Sequence, residues 1–109
     1  MSKEFAGSLR ERVIVEELAS ERNAIGAQLP VWAVVARCLA AVVPEGAGAE
    51  IEGQALSAMA RFRVTIRVRD GIAVGQRVRW RARLLTVRQR IDDPALPDRI
   101  MLRCEEIRS

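Results

Sequence analysis

The stretch RFRVTIRVR, residues 61–69, alternates without a break: Phe62, Val64, Ile66 and Val68 on one parity, Arg61, Arg63, Thr65, Arg67 and Arg69 on the other. A period of two fits a pleated strand with one buried face and is incompatible with a helix. Asp70-Gly71 then marks a turn, and Val78 and Trp80 alternate with Arg77, Arg79 and Arg81. RLLTVRQRI continues to Ile91, DDPALPD interrupts with two prolines, and RIMLRCEEI supplies a last strand with Ile100, Leu102 and Cys104 on one side. The pattern predicts a four-strand meander in which 61–69 and 77–83 are neighbours. Its core is Phe62, Val64, Ile66, Val68, Val78, Trp80, Ile100 and Leu102, and with help from the first strands it curls into a small barrel.

The first half is less regular. LRERVIVEEL, 9–18, places Val13, Ile14 and Val15 together and predicts a strand. Residues 19–30 carry Gly26 and Pro30 and read as a mobile loop, and residues 1–8 as a flexible N-terminus. VWAVVARCLAAVV, 31–43, suits a helix by its alanines and a strand by its valines and Trp32; Pro44 closes it either way. Beyond it, Ile51, Ala55, Leu56 and Met59 form the stripe of a short amphipathic helix, weakened by Gly53. The expected class is therefore mainly β: a small antiparallel barrel or meander with one short helix and a long loop. All 109 residues are expected to form a single domain.

Composition narrows the function. There is no histidine and no tyrosine, and no serine- or cysteine-centred motif supplies an activated nucleophile. Asp92 and Asp93 stand before Pro94 as a turn signal, and the PEGAGAE glycines lack the lysine and spacing of a phosphate loop. The protein is expected to bind, not to catalyse, and to use no metal or cofactor. Cys38 and Cys104, far apart among apolar neighbours, read as buried free thiols, with a disulfide as the alternative. No uncharged apolar run is long enough to span a bilayer, and MSKEFAGSLRERV lacks the apolar stretch of a signal peptide, so a cytoplasmic origin without membrane contact is expected.

The net charge is +4, but acids outnumber bases up to residue 60, and the surplus lies in 61–90, which holds ten arginines, no lysine and one acid, Asp70. Arginine's planar fork pairs with carboxylate or phosphate. Three readings compete: a solvated outer face, a contact surface for acidic neighbours, and a grip on DNA in a channel. Solvation alone is a poor account, because arginine rows on adjacent strands repel. Glu11, Glu16, Glu17, Glu21, Glu45, Glu50 and Glu52 offer complementary charge on a neighbouring copy, which favours protein contacts. The candidate interface or DNA-channel residues are Arg63, Arg67, Arg69, Arg79, Arg81 and Arg83.

In order and spacing the chain resembles the phage head–tail joining family, also called head-closure or stopper proteins, over nearly its whole length. The matching pieces are LRERVIV; VWAVVARCLAAVVP with Trp32; the segment from Gly46 and Glu50; FRVTIRVRDGIAVGQRVRW, with its Ile-x-x-Gly-x-Arg-Val run from Ile72 to Val78; and IMLRCEEI. One departure is the hairpin after the aromatic, where Arg81-Ala82 replaces the family's usual glycine. A turn other than type I′, or a longer loop, is expected there. The 19–30 segment also lacks the glycine-rich character of the family.

The resemblance implies a homo-oligomeric ring of six or twelve copies in the neck of a phage, or of a phage-derived particle such as a gene transfer agent, assembled in the bacterial cytoplasm. Portal or adaptor proteins would lie above it and tail proteins below, with packaged double-stranded DNA passing through. The alternative, from a different class, is a small basic OB-like barrel that binds single-stranded nucleic acid. Such a module stacks bases on exposed aromatics, and this chain offers only Phe5, Trp32, Phe62 and Trp80.

Overall fold

Valine, isoleucine and leucine on alternate positions of every strand give the chain one apolar side, and the sheet hides that side by closing on itself. In the computed structural model, which describes residues 3–22, 26, 28–47, 50–52, 55–57 and 60–107, α1 (Lys3–Ser8) precedes β1 (Glu11–Arg22), β2 (Gln28–Ala47), β3 (Glu50–Glu52), β4 (Ala55–Ser57), β5 (Ala60–Arg67), β6 (Arg77–Trp80), β7 (Arg83–Ile91) and β8 (Arg99–Glu106). Six strands form a closed antiparallel barrel in the order β1-β2-β5-β8-β7-β6, and β3 and β4 form a separate two-stranded sheet. Closure leaves the barrel without the open edges that invite aggregation.

The mainly β expectation holds, and so does most of the predicted core. Phe62, Val64, Ile66, Val78, Trp80, Ile100, Leu102 and Cys104 are buried with Val13, Val15, Leu85 and Val87. Phe62 and Trp80 meet edge-to-face at 5.1 Å, a favoured aromatic geometry. Val68 is an exception: β5 ends at Arg67, and Val68 is exposed while its N–H donates to the Asp98 carbonyl at 3.0 Å.

The meander is corrected. β6, β7 and β8 are consecutive neighbours, but β5 pairs with β2 and β8, and β6 pairs with β1 and β7. The 61–69 and 77–83 segments therefore lie three strands apart, on opposite sides of the barrel. The connection between them crosses the barrel end with Ile72 buried in it. Gln76 rivets this crossing, donating to the Gly71 carbonyl at 2.7 Å and accepting from the Ala73 N–H at 2.9 Å. Gly71 at φ 88° and Gly75 at φ 95° take the left-handed conformations it requires. The Ile-x-x-Gly-x-Arg-Val run is thus a lid residue, a left-handed glycine and the entry into β6.

Three further expectations change. Residues 3–8 are a helix whose Phe5 is buried beneath Arg99, at 3.8 Å from guanidinium to ring, with Arg67 at 5.9 Å. In the expected loop at 19–30, residues 19–22 belong to β1 and 28–30 to β2. The short helix is therefore at the N-terminus, while its expected site carries β3 and β4, with Ile51 in register with Leu56. Gly46, Gly48 and Gly53 weaken a helix there; Met59 lies outside the described residues. The ambiguous 31–43 segment is strand.

β1 and β2 outgrow the barrel. β1 pairs with β6 over Val13–Glu16 and β2 with β5 over Ala40–Ala47, so, among the described residues, 17–22 and 28–33 pair only with each other, as a projecting ribbon.

Candidate functional site

The arginines do not form a bare cationic face, because their own chain supplies carboxylates. Glu16, buried, accepts from Arg77 and, at 3.2 Å, from Arg79, while Arg77 also lies over the Trp32 ring at 4.1 Å. Arg81 binds Glu11 through Nε at 2.9 Å and Nη2 at 3.1 Å. Arg83 approaches Glu106 at 3.7 Å and lies over the Phe62 and Trp80 rings, at 5.6 Å from each. Arg90 holds Asp92 and also donates to the Ile72 carbonyl, and Arg99 holds Asp98.

Of the six candidates, then, Arg79 and Arg81 bind carboxylates of their own chain, and Arg83 and Arg63 approach them at 3.7 and 3.8 Å. Arg67 lies over Phe5, and Arg69 donates to the Arg67 carbonyl at 3.3 Å. Arg63 lies opposite Arg103 across the β5–β8 ladder. Glu11, Glu16 and Glu45, expected to serve a neighbouring copy, are engaged within the chain. Alternation alone could not reveal this, since it assigns a face to each arginine and says nothing about which strand lies beside it.

Of the residues that gather at the other side of the barrel, sequence reasoning named Arg63 and Glu45 but missed Arg61, Arg88, Arg103 and Glu105. Arg61 and Arg88 share Glu105, at 3.2 and 3.0 Å, and Arg63 and Arg103 flank Glu45 at 3.8 and 3.9 Å. An open cleft of about 550 Å³ is lined by Glu45, Arg61, Arg88, Gln89, Arg103, Cys104 and Glu105. Two β-bulges build it. Between Pro44 and Ala47 the β2 strand carries one extra residue against β5, at Glu45 and the left-handed Gly46. Between Val87 and Gln89 the β7 strand carries one extra residue, Arg88, against β8. A bulge re-aims side chains, and these two bracket the β5–β8 pair. PEG at 44–46 was the available sequence signal for the first; the second had none. Burial, with the Glu45 charge nearby, pushes the Cys104 thiol up to about 12, so the thiol beside the cleft stays protonated.

Among the described residues no group of three or more metal-ligating side chains gathers, and no helix is long and apolar enough to cross a membrane.

A closed small barrel with an arginine-rich exterior, a projecting ribbon and a polar cleft defines the class: a small antiparallel β-barrel protein. The match to the phage head completion protein family covers residues 6–107, and the chain belongs to that family. Among solved structures it is similar to protein SF1141 from Shigella flexneri 2a, determined in solution, at 26% identity, a TM-score of 0.69, and coverage of 92% of this chain and 94% of that one. It shares its fold with a chain from the virion of a native gene transfer agent particle, at 16% identity, a TM-score of 0.68, and coverage of 93% and 97%. No curated protein matches it by sequence.

Proposed function

We propose that the whole chain, 1–109, is one head–tail joining domain: a structural part of the neck of a phage or gene-transfer-agent-like particle. Six or twelve copies form a ring between portal or adaptor proteins above and tail proteins below. The ring closes the head around its double-stranded DNA and seats the tail. It works by contact, without catalysis, cofactor or membrane, after assembly in the bacterial cytoplasm.

The observation that carries this reading, beside family membership, is the apolar exposure along β1 and β2: Leu18 at 59%, Val34 at 46%, Leu39 at 48% and Val43 at 42%. Apolar side chains left exposed along one strand pair suit a surface that other proteins cover. Arg63, Arg67 and Arg69 remain candidates for contacts at the β5 side. Arg79, Arg81 and Arg83 remain candidates on the β6–β7 side, where each also approaches a carboxylate of its own chain. The single-strand alternative draws no support from the aromatics: Phe5, Phe62 and Trp80 are buried, and Trp32 is half-buried under Arg77.

Electron microscopy of particles produced without this chain tests the reading. DNA-filled or leaking heads without tails are expected; tailed particles of normal titre would overturn it.

A further inference from the structure

We propose that the cleft between the two bulges, lined by Arg61, Arg88 and Arg103 with Glu45 and Glu105 and flanked by Arg63 beside Glu45, docks carboxylates from an acidic segment of a partner protein.

The first argument is a local surplus of donors. Among the described residues four guanidiniums share two carboxylates, and Arg63 and Arg103 stand 3.8 and 3.9 Å from Glu45, beyond hydrogen-bonding distance. These two arginines are also directly opposed in the β5–β8 ladder, where like charges repel. An added carboxylate between them relieves the repulsion and takes up forked donors that Glu45 does not reach.

The second argument is construction. Glu45 and Arg88 are both delivered by bulges, on strands that flank the β5–β8 pair from opposite sides. A sheet needing only a wet outer surface has no use for two such irregularities converging on one spot, and bulges recur beside functional sites.

The third argument selects the anion. Elsewhere in the arginine-rich segment Arg77, Arg79, Arg81, Arg83 and Arg90 each meet a carboxylate of their own chain. A nucleic-acid strand is held by successive phosphate contacts along a basic track. This cleft is a single spot with two carboxylates already in it, suited to one or two acidic side chains.

The partner's membership of the particle neck rests on the proposed function; the chemistry of the cleft does not. The purified protein would be titrated with fluorescein-labelled hexaglutamate peptide at low salt, with duplex DNA of about 20 base pairs and inorganic phosphate as comparators. The double variant Arg63→Gln/Arg103→Gln is expected to lose about tenfold or more in peptide affinity. Arg12→Gln/Arg37→Gln, which removes the same charge from exposed positions on β1 and β2, is expected to lose less than about twofold. Melting curves of both variants establish that they are folded, and shifts of the Arg61, Arg63, Arg88 and Arg103 Nε–H resonances on adding peptide locate the site. Equal losses in the two variants, no saturable peptide binding, or tighter cleft-dependent binding of the duplex or of phosphate would each overturn the proposal. Particle microscopy and this titration can fail independently, so the two readings are separable.

Discussion

Arg81, the one described residue other than glycine with a positive φ, at 52°, closes its guanidinium on both oxygens of Glu11, at 2.9 and 3.1 Å. Glu11 also accepts from Trp80 Nε1 at 2.7 Å. One carboxylate therefore ties β1 to the two-residue turn between β6 and β7, where Trp80 pairs with Arg83. Only the first turn residue is left-handed, whereas type I′ requires both to be; the turn is of another type, as the missing glycine predicted, and it is no longer.

The Trp80 hydrogen bond, and after it that of Arg81, hold the Glu11 carboxyl below its ordinary value of 4.5. A depressed folded-state value means that the unfolded chain binds more protons in the interval between the two. The stabilisation is therefore complete above about pH 4.5 and is lost as pH falls through the folded value. Asp98, lowered from 3.8 by Arg99, acts in the same sense. Acid titration of the melting temperature is expected to show a decline beginning near pH 4.5, shallower in Glu11→Gln. Glu11→Leu, which removes the acceptor for Trp80, should melt below Glu11→Gln at neutral pH.

Val64 has no exposed surface and faces the barrel centre beside Leu102, its partner on β8. Val64→Asp places a carboxylate where nothing can solvate or pair it. Far-UV circular dichroism is expected to show loss of the fold; a soluble variant with a cooperative melt would contradict this placement.

Glu16 is the buried hub for Arg77 and Arg79, with side-chain exposures of 15% and 51% for the two arginines. Glu16→Ala strands the largely covered Arg77 charge and is expected to cost about 2–3 kcal/mol, toward the lower side for a broken buried pair. That corresponds to a fall in melting temperature of roughly 10–20 °C. Arg79→Gln removes the half-exposed partner and should cost under about 1 kcal/mol.

Burial raises the thiol of Cys104 to about 12 and that of half-buried Cys38 to a lesser extent. Because the thiolate is the reactive form, an aromatic disulfide reagent near pH 8 should label Cys38 first. Cys104 should react only at the rate of unfolding, and equal rates for the two would place Cys104 outside the core.

The strands were legible wherever one face alone is buried. Val64, Val78, Ile100 and Leu102 announced themselves by parity, and the run from Ile72 to Val78 pointed to its family by spacing. What parity cannot encode is adjacency. Nothing local to Arg63 says that its neighbour is Arg103 and not Arg79, because that depends on a crossing of the barrel end fixed by Gln76 and two left-handed glycines. The same limit hid the cleft, whose residues come from four strands. The N-terminal helix escaped for another reason: six residues are too few for periodicity to register, and their order comes from Phe5 beneath Arg99. The false helix at 46–59 arose because Ile51 and Leu56, read as one stripe, are cross-strand partners.

The ribbon of β1 and β2 gives an otherwise self-contained sheet a place to grow. Around the barrel every strand has a neighbour on each side, but over residues 17–22 and 28–33 each strand has, among the described residues, only the other. Among the described residues their outward backbone groups have no ladder partner, and exposed Leu18 stands among them. A strand laid against either margin would extend the sheet at no cost to the barrel, whereas one competing for β6 or β8 would have to break a closed circuit. The geometry thus separates what must stay fixed in every copy from what is free to be completed from outside.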